Sequence, residues 1–152
     1  MILIDTNALT LLIVGLIDSN QIEKHRRTSI YTEKDFHKLL SIIQDFSNLL
    51  ILPNIWTEVD NLLNNFLTGN LKWPYIQVLR ESIPKTSERY LRSELGANSN
   101  YFISIGLTDS LIIELREEYD LLITADSKLS DLAKAHGITV YDLKEERNED
   151  FR

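Results

Sequence analysis

The chain of 152 residues contains no cysteine. That absence removes disulfides, thiolate metal sites and cysteine nucleophiles together, and it fits a reducing compartment. Histidine is almost as scarce. His25, His37 and His136 are the only three, with no local ligand spacing among them, which argues against a histidine-built zinc site. Bulk positive charge is missing too: 16 Lys and Arg face 23 Asp and Glu, a formal net charge of −7. Such a chain does not grip nucleic acid through its overall charge. Long apolar runs are also lacking, because Asp5 interrupts the first and residues 8–16 are too few to span a bilayer. The N-terminus has no positively charged start of the kind a secretory leader needs. A cytoplasmic protein without membrane contact is the expectation, and no segment reads as low-complexity, repeat or domain linker.

What remains is ordinary globular material, 43% hydrophobic and 26% charged, enough for one domain with a real core. "ILI" (residues 2–4), "LLIL" (49–52), "LLIT" (121–124) and "ITVY" (138–141) are short apolar runs that read as buried strands. Between them lie helical patterns. Residues 7–17 carry Leu9, Leu12, Ile13 and Leu16 on one side, and Thr32 with Asp35 opens a second stripe through Phe36, Leu39, Leu40, Ile43 and Phe46. Pro53 and Asn54 open a third, in which Ile55, Val59, Leu62 and Phe66 form the apolar face, widened by Trp56, Leu63 and Leu67. Glu58, Asn61 and Asn65 share its polar face. Residues 73–95 predict one or two helices broken near Pro84, and "GANSN" (96–100) a loop. A helix beginning near Thr108 as N-cap places Asp109 in its first turn. A last helix over 127–136 stops at Gly137. The domain is expected to span 1–143, with a charged tail over 144–152 that frays.

Nearly all-apolar strands separated by helices predict a parallel sheet covered on both faces, an α/β fold of three layers. Ligands of such sheets bind beyond the carboxyl ends of the strands, where the strand order reverses. Asp5 and Asp126 each follow a predicted strand, Asp109 starts a helix, and Glu58 lies on the helix after the second strand. Four carboxylates in one crevice repel, and some stay protonated unless a cation joins them. Oxygen-only ligands suit Mg²⁺ or Mn²⁺, which activate water and clamp phosphodiester oxygens.

"LIDTNAL", "ILPNIWTEVDNLL", "GLTDSLII" and "LLITADSKLSDLAKAHGITVYDL" come in an order and spacing that resemble the PIN-domain nucleases over about residues 2–143. The resemblance implies an α/β/α sandwich with a central parallel sheet, an acidic pocket for Mg²⁺ or Mn²⁺, and RNA cleavage. It implies Asp5, Glu58, Asp109 and Asp126 as the catalytic and metal-binding set, with Asn7 and Thr124 supporting the pocket through hydrogen bonds. Many bacterial members resemble the toxin half of a toxin–antitoxin pair, so an antitoxin protein is an implied partner beside the RNA substrate.

Each residue also has a plainer reading. Asp5 and Asp126 serve equally as helix caps, Asp109 as a first-turn charge, and Glu58 as a solvent-facing helix residue. Asp60 lies about 200° around its helix from Glu58. Asp131 is a lesser candidate. Lys24, His25, Arg26 and Arg27 either touch phosphates or form a solvated loop, and the same choice holds for Arg80, Arg89 and Arg92. Trp56 and Trp73 read as packing residues. The stripes over 9–17 and 36–46 read as core, with a homodimer or partner groove as the other use. An Asp directly after the first strand also resembles haloacid-dehalogenase-like phosphatases, but these place a second Asp where this chain has Asn7, and no suitable late lysine follows. A PIN-like module that binds RNA or protein without cutting is the stronger rival.

Overall fold

The computed structural model describes residues 1–67 and 69–150, without the side chains of Asn65 and Leu67. The expected places of Asn65 on a polar helix face, of Leu67 on the apolar stripe, and of tail residues 151 and 152 lie outside the described residues.

Strand β1 (Ile2–Ile4) runs into helix α1 (Thr6–Ile17), followed by a 3-10 turn at Ser19–Gln21 and helix α2 (Glu33–Ile43). Strand β2 (Leu49–Ile51) leads to α3 (Pro53–Leu63) and α4 (Lys72–Ser82), then to a short strand β3 (Ser87–Glu88). Helices α5 (Ser93–Ala97) and α6 (Phe102–Glu114) precede β4 (Leu121–Thr124). Helix α7 (Ser127–Ala135), strand β5 (Thr139–Asp142) and helix α8 (Leu143–Asp150) complete the described chain.

All five strands are parallel, in the order β3-β2-β1-β4-β5. The chain builds outward from β1 to β3 on one side, then crosses over to lay down β4 and β5 on the other. The reversal therefore lies between β1 and β4, where Ile2, Leu3 and Ile4 pair with Leu121, Leu122 and Ile123. Helix α1 packs on α2, α3 and α4, whereas α6 packs on α5 and α7, so the sheet is the middle of three layers. This is the α/β/α sandwich that the short apolar strands predict.

Helix α1 is the hub of the core. Residues 8–15 are all buried, as the core reading of its Leu/Ile stripe expects, whereas Leu16 at the end of that stripe is exposed. Gly15 explains how α2 comes so close: a Cβ there would lie 2.3 Å from Cδ2 of Phe36. Helix α2 begins with a capping box, in which Thr32 Oγ1 accepts from the Asp35 N–H and Asp35 Oδ2 accepts from the Thr32 N–H at 2.9 Å.

Several expectations need correction. The fifth strand, β3, comes from residues expected to be helical. It pairs only Ser87 and Glu88 with Leu50 and Ile51, and both strand residues are exposed. Residues 96 and 97, expected to open a loop, instead complete the short helix α5. The charged tail is helical through Asp150, held to α2 by Lys38 at 2.9 Å and to α7 by the Lys134–Glu145 pair at 2.8 Å. Trp56 is buried as expected, but Trp73 is 59% exposed, with the Arg80 guanidinium 5.8 Å from its ring centre. Among the described residues, no helix is long and apolar enough to cross a membrane.

Replacing Gly15 by alanine tests the α1–α2 approach. Overpacking against buried Phe36 costs about 1–3 kcal/mol, more than the ~0.5–1 kcal/mol that alanine gains over glycine inside a helix. A lower urea midpoint with an unchanged slope is the expected result.

Candidate functional site

Asp5 stands where β1 becomes α1, on the reversal beside β4. Its backbone N–H donates to Ile123 O at 3.0 Å, extending the strand pairing by one residue. Its side chain is 4% exposed. Oδ1 accepts from the Ala8 N–H at 3.0 Å and caps α1. Oδ2 accepts from the Thr124 hydroxyl and from the Ala125 N–H at 3.2 Å. One carboxylate thus joins β1, α1 and the end of β4. Burial pushes its pKa up to about 6 despite these donors, with a further push from the charge of Asp126.

Thr124 also orders the next acid. Its Oγ1 accepts from the Asp126 N–H at 2.9 Å, and Asp126 Oδ1 accepts from the Leu129 N–H at 3.0 Å as the cap of α7. The capping reading of Asp5 and Asp126 is therefore right, and it is compatible with a site. Each cap uses Oδ1 of its carboxylate.

Glu58 is held from two sides. Thr6 Oγ1 donates to its Oε2 at 2.6 Å, and Thr108 Oγ1 donates to its Oε1. Asn54 Nδ2 donates in turn to Thr108 Oγ1 at 3.0 Å. Thr108 is therefore not the helix cap that the sequence predicts. The break in α6 falls at Gly106, whose φ of 80° and ψ of −177° belong to a region open to glycine alone. Helical geometry resumes after it, which leaves Thr108 inside the turn, facing Glu58.

Asp109 lies in that same turn. Burial raises its pKa to about 7, with added repulsion from Asp5, Asp126 and Glu58 in that order. Among the described residues, no hydrogen-bond donor is recorded for its carboxylate. All four acids line one cavity of about 320 Å³, together with Thr6, Asn7, Asn61 and Leu62. Asn7 is exposed at its edge, and the support expected from it comes instead from its neighbour Thr6. Thr6 and Thr108 are the residues that reading the sequence missed. The signal was present, since each is the immediate neighbour of a cavity Asp.

Other candidates fall elsewhere. Asp60 accepts from the Tyr75 hydroxyl at 2.5 Å, and Asp131 lines a separate surface depression with Lys128. Arg89 pairs with Glu118 at 2.9 Å and Arg92 with Glu94 at 3.1 Å. His25 stacks on Phe66 with 4.2 Å between ring centres, and none of residues 24–27 lines the acidic cavity.

The donors fit a hard divalent cation by chemistry: all are oxygens, and the mutual repulsion at Asp109 is what a bound cation relieves. By position they stop short. Among the described residues, no three acidic or histidine side chains are placed to hold one ion together. Asp5 and Glu58 direct their oxygens toward protein donors instead.

The raised carboxylates fix the sign of a pH effect. Asp5 and Asp109 both hold a proton more tightly folded than their usual 3.8 allows, so their contribution to stability is full below that value and lost as pH rises through about 6 and about 7. In chelator-containing buffer the melting temperature should fall from about pH 4 to about pH 8, and Asp109→Asn should flatten the upper part of that fall.

Compared with protein-family models, curated proteins and solved structures, the chain finds no match in any of the three.

Proposed function

We propose that the protein is a PIN-like, metal-dependent endoribonuclease that hydrolyses RNA phosphodiester bonds. The observation that carries this reading is the convergence of Asp5, Glu58, Asp109 and Asp126, from four separate parts of the chain, on one cavity at the sheet's reversal point. The four motifs shared with PIN-domain nucleases support it as a resemblance.

In this reading Asp5, Asp109 and Asp126 would hold Mg²⁺ or Mn²⁺. When bound, the ion supplies Lewis-acid polarisation of the scissile phosphate and a more acidic water. The chain's own residues do the rest. Thr124 keeps Asp5 and Asp126 in register, since one hydroxyl bonds to both. Thr6 and Thr108 fix the Glu58 carboxylate, which would orient the attacking water by accepting its hydrogen bond. Asp5 and Asp109 must ionise to bind the ion, so binding releases protons and strengthens as pH rises through about 6 to about 7. A protein inhibitor of the antitoxin kind would act most directly by covering this cavity.

A second reading, an RNA- or protein-binding module that does not cut, is favoured by the way Asp5 and Glu58 direct their carboxylate oxygens to protein donors. One assay separates the two. Purified protein is incubated with labelled single-stranded RNA in Mg²⁺, in Mn²⁺ and in EDTA, beside Asp5→Asn and Asp109→Asn. The nuclease reading expects metal-dependent cutting that falls at least 100-fold in both variants, on the order of ~3 kcal/mol of transition-state stabilisation. Wild-type rates in either variant would sink the assignment. No cutting, with no divalent-ion binding by calorimetry, would favour the non-catalytic module.

A further inference from the structure

A second cleft, of about 700 Å³, opens directly beside the acidic cavity and shares Glu58 and Asp109 with it. Its volume falls in the range of small-molecule sites, roughly 300–1,000 Å³. Apart from those two shared carboxylates, its lining carries no charge. Leu91, Ile105 and Leu107 supply apolar walls, and Tyr90 is 70% exposed at its edge. We infer that this cleft seats one unpaired nucleobase of the RNA strand next to the cleaved phosphate, with the Tyr90 ring as its stacking platform. The inference rests on the nuclease reading above and names the part of the substrate that the site holds.

The chemistry of the lining selects this occupant. Beyond the edge shared with the acidic cavity, the lining offers a phosphate no cationic side chain, so the sugar–phosphate backbone stays at that edge and the cleft itself is left for an uncharged group. A flat neutral group with polar edges is accommodated. Its face meets the Tyr90 ring, and its edges meet Asn54 and Ser93. Asn54 commits Nδ2 to Thr108, and among the described residues neither Asn54 Oδ1 nor Ser93 Oγ takes a recorded hydrogen bond. Bases present such a face and such edges only when unstacked, which specifies a single-stranded region.

Tyr90 is also held in place without being part of the core. The Arg89 N–H donates to Ile51 O at 3.0 Å, continuing the sheet edge beyond β3. The Arg89 guanidinium bonds to Glu118 at 2.9 Å and to the Tyr90 carbonyl at 3.2 Å. A large ring on a clamped backbone, left in solvent beside an acidic cavity, contributes little to folding and is ready to stack. Gly106 also lines the cleft, and nothing lies within 4 Å of where its Cβ would be.

The test uses the full chain carrying Asp5→Asn, so that RNA stays intact, and measures binding of short labelled single-stranded RNA in Mg²⁺ by fluorescence anisotropy. Each RNA in the series lacks the base at one position. Loss of one particular base should raise Kd about tenfold, the scale of one base–aromatic stack. Adding Tyr90→Ala should weaken intact RNA by a similar factor, the two losses should not multiply, and Tyr90→Phe should bind like its parent. Equal Kd with and without every base, a Tyr90→Ala loss that persists on the baseless RNA, or no RNA binding at all would overturn the subsite. Cleavage of the same RNAs by the wild-type chain keeps the two ideas apart. Cutting that ignores bases and the ring removes the subsite and leaves the nuclease. Ring-dependent binding without any cutting does the reverse.

Discussion

The buried carboxylate of Asp5 is the joint on which the rest of the structure depends. It sits at the end of the central strand, and its two oxygens accept from α1, from Thr124 and from Ala125. The carboxylate therefore caps the helix at the centre of the core and fastens β1 to β4 where the sheet reverses. An apolar residue there would leave the Ala8 and Ala125 N–H groups and the Thr124 hydroxyl without their acceptor. Burial opposes the charge, and neutral donors only partly offset it, so the acid is easier to protonate than an exposed Asp.

Glu58 provides the complementary brace. Thr6 leads into α1 and Thr108 follows the break in α6, and both hydroxyls meet on one glutamate of α3. The two outer layers are thus linked above the sheet end by hydroxyl-to-carboxyl hydrogen bonds. Asp109 has no such support among the described residues, and burial together with the charges of Asp5, Asp126 and Glu58 raises its pKa to about 7. The cavity gathers its negative charge through threonines and backbone amides, and one acid in it is left without a donor.

Much of the architecture was legible because the signals were local. Strand β4 and helix α7 follow from an apolar run, a capping Asp and a glycine stop, and the capping box of α2 can be read from Thr32 and Asp35. What could not be read involved weak local pattern or distant partners. Ser87 and Glu88 are exposed and polar, and they become a strand only because Leu50 and Ile51 present an unpaired edge. The break in α6 belongs to Gly106, and its positive φ is a backbone property that residue type and periodicity do not specify. Trp73 lies on α4 without joining the core, whereas Trp56 lies on α3 and does.

By itself, the sequence determined the α/β class, the positions of four carboxylates relative to strand ends and helix starts, and the helix caps that Asp5 and Asp126 form. These follow from residue type and spacing within a few positions along the chain. Only the tertiary structure decided that Asp5, Glu58, Asp109 and Asp126 share a cavity, because the strand order brings together residues separated by up to about 120 positions. It also decided that threonines, rather than Asn7, hold the acids, and that Tyr90 stands beside them. Hydrogen-bond partners across a fold depend on which elements pack together, and chain-local periodicity carries no record of that.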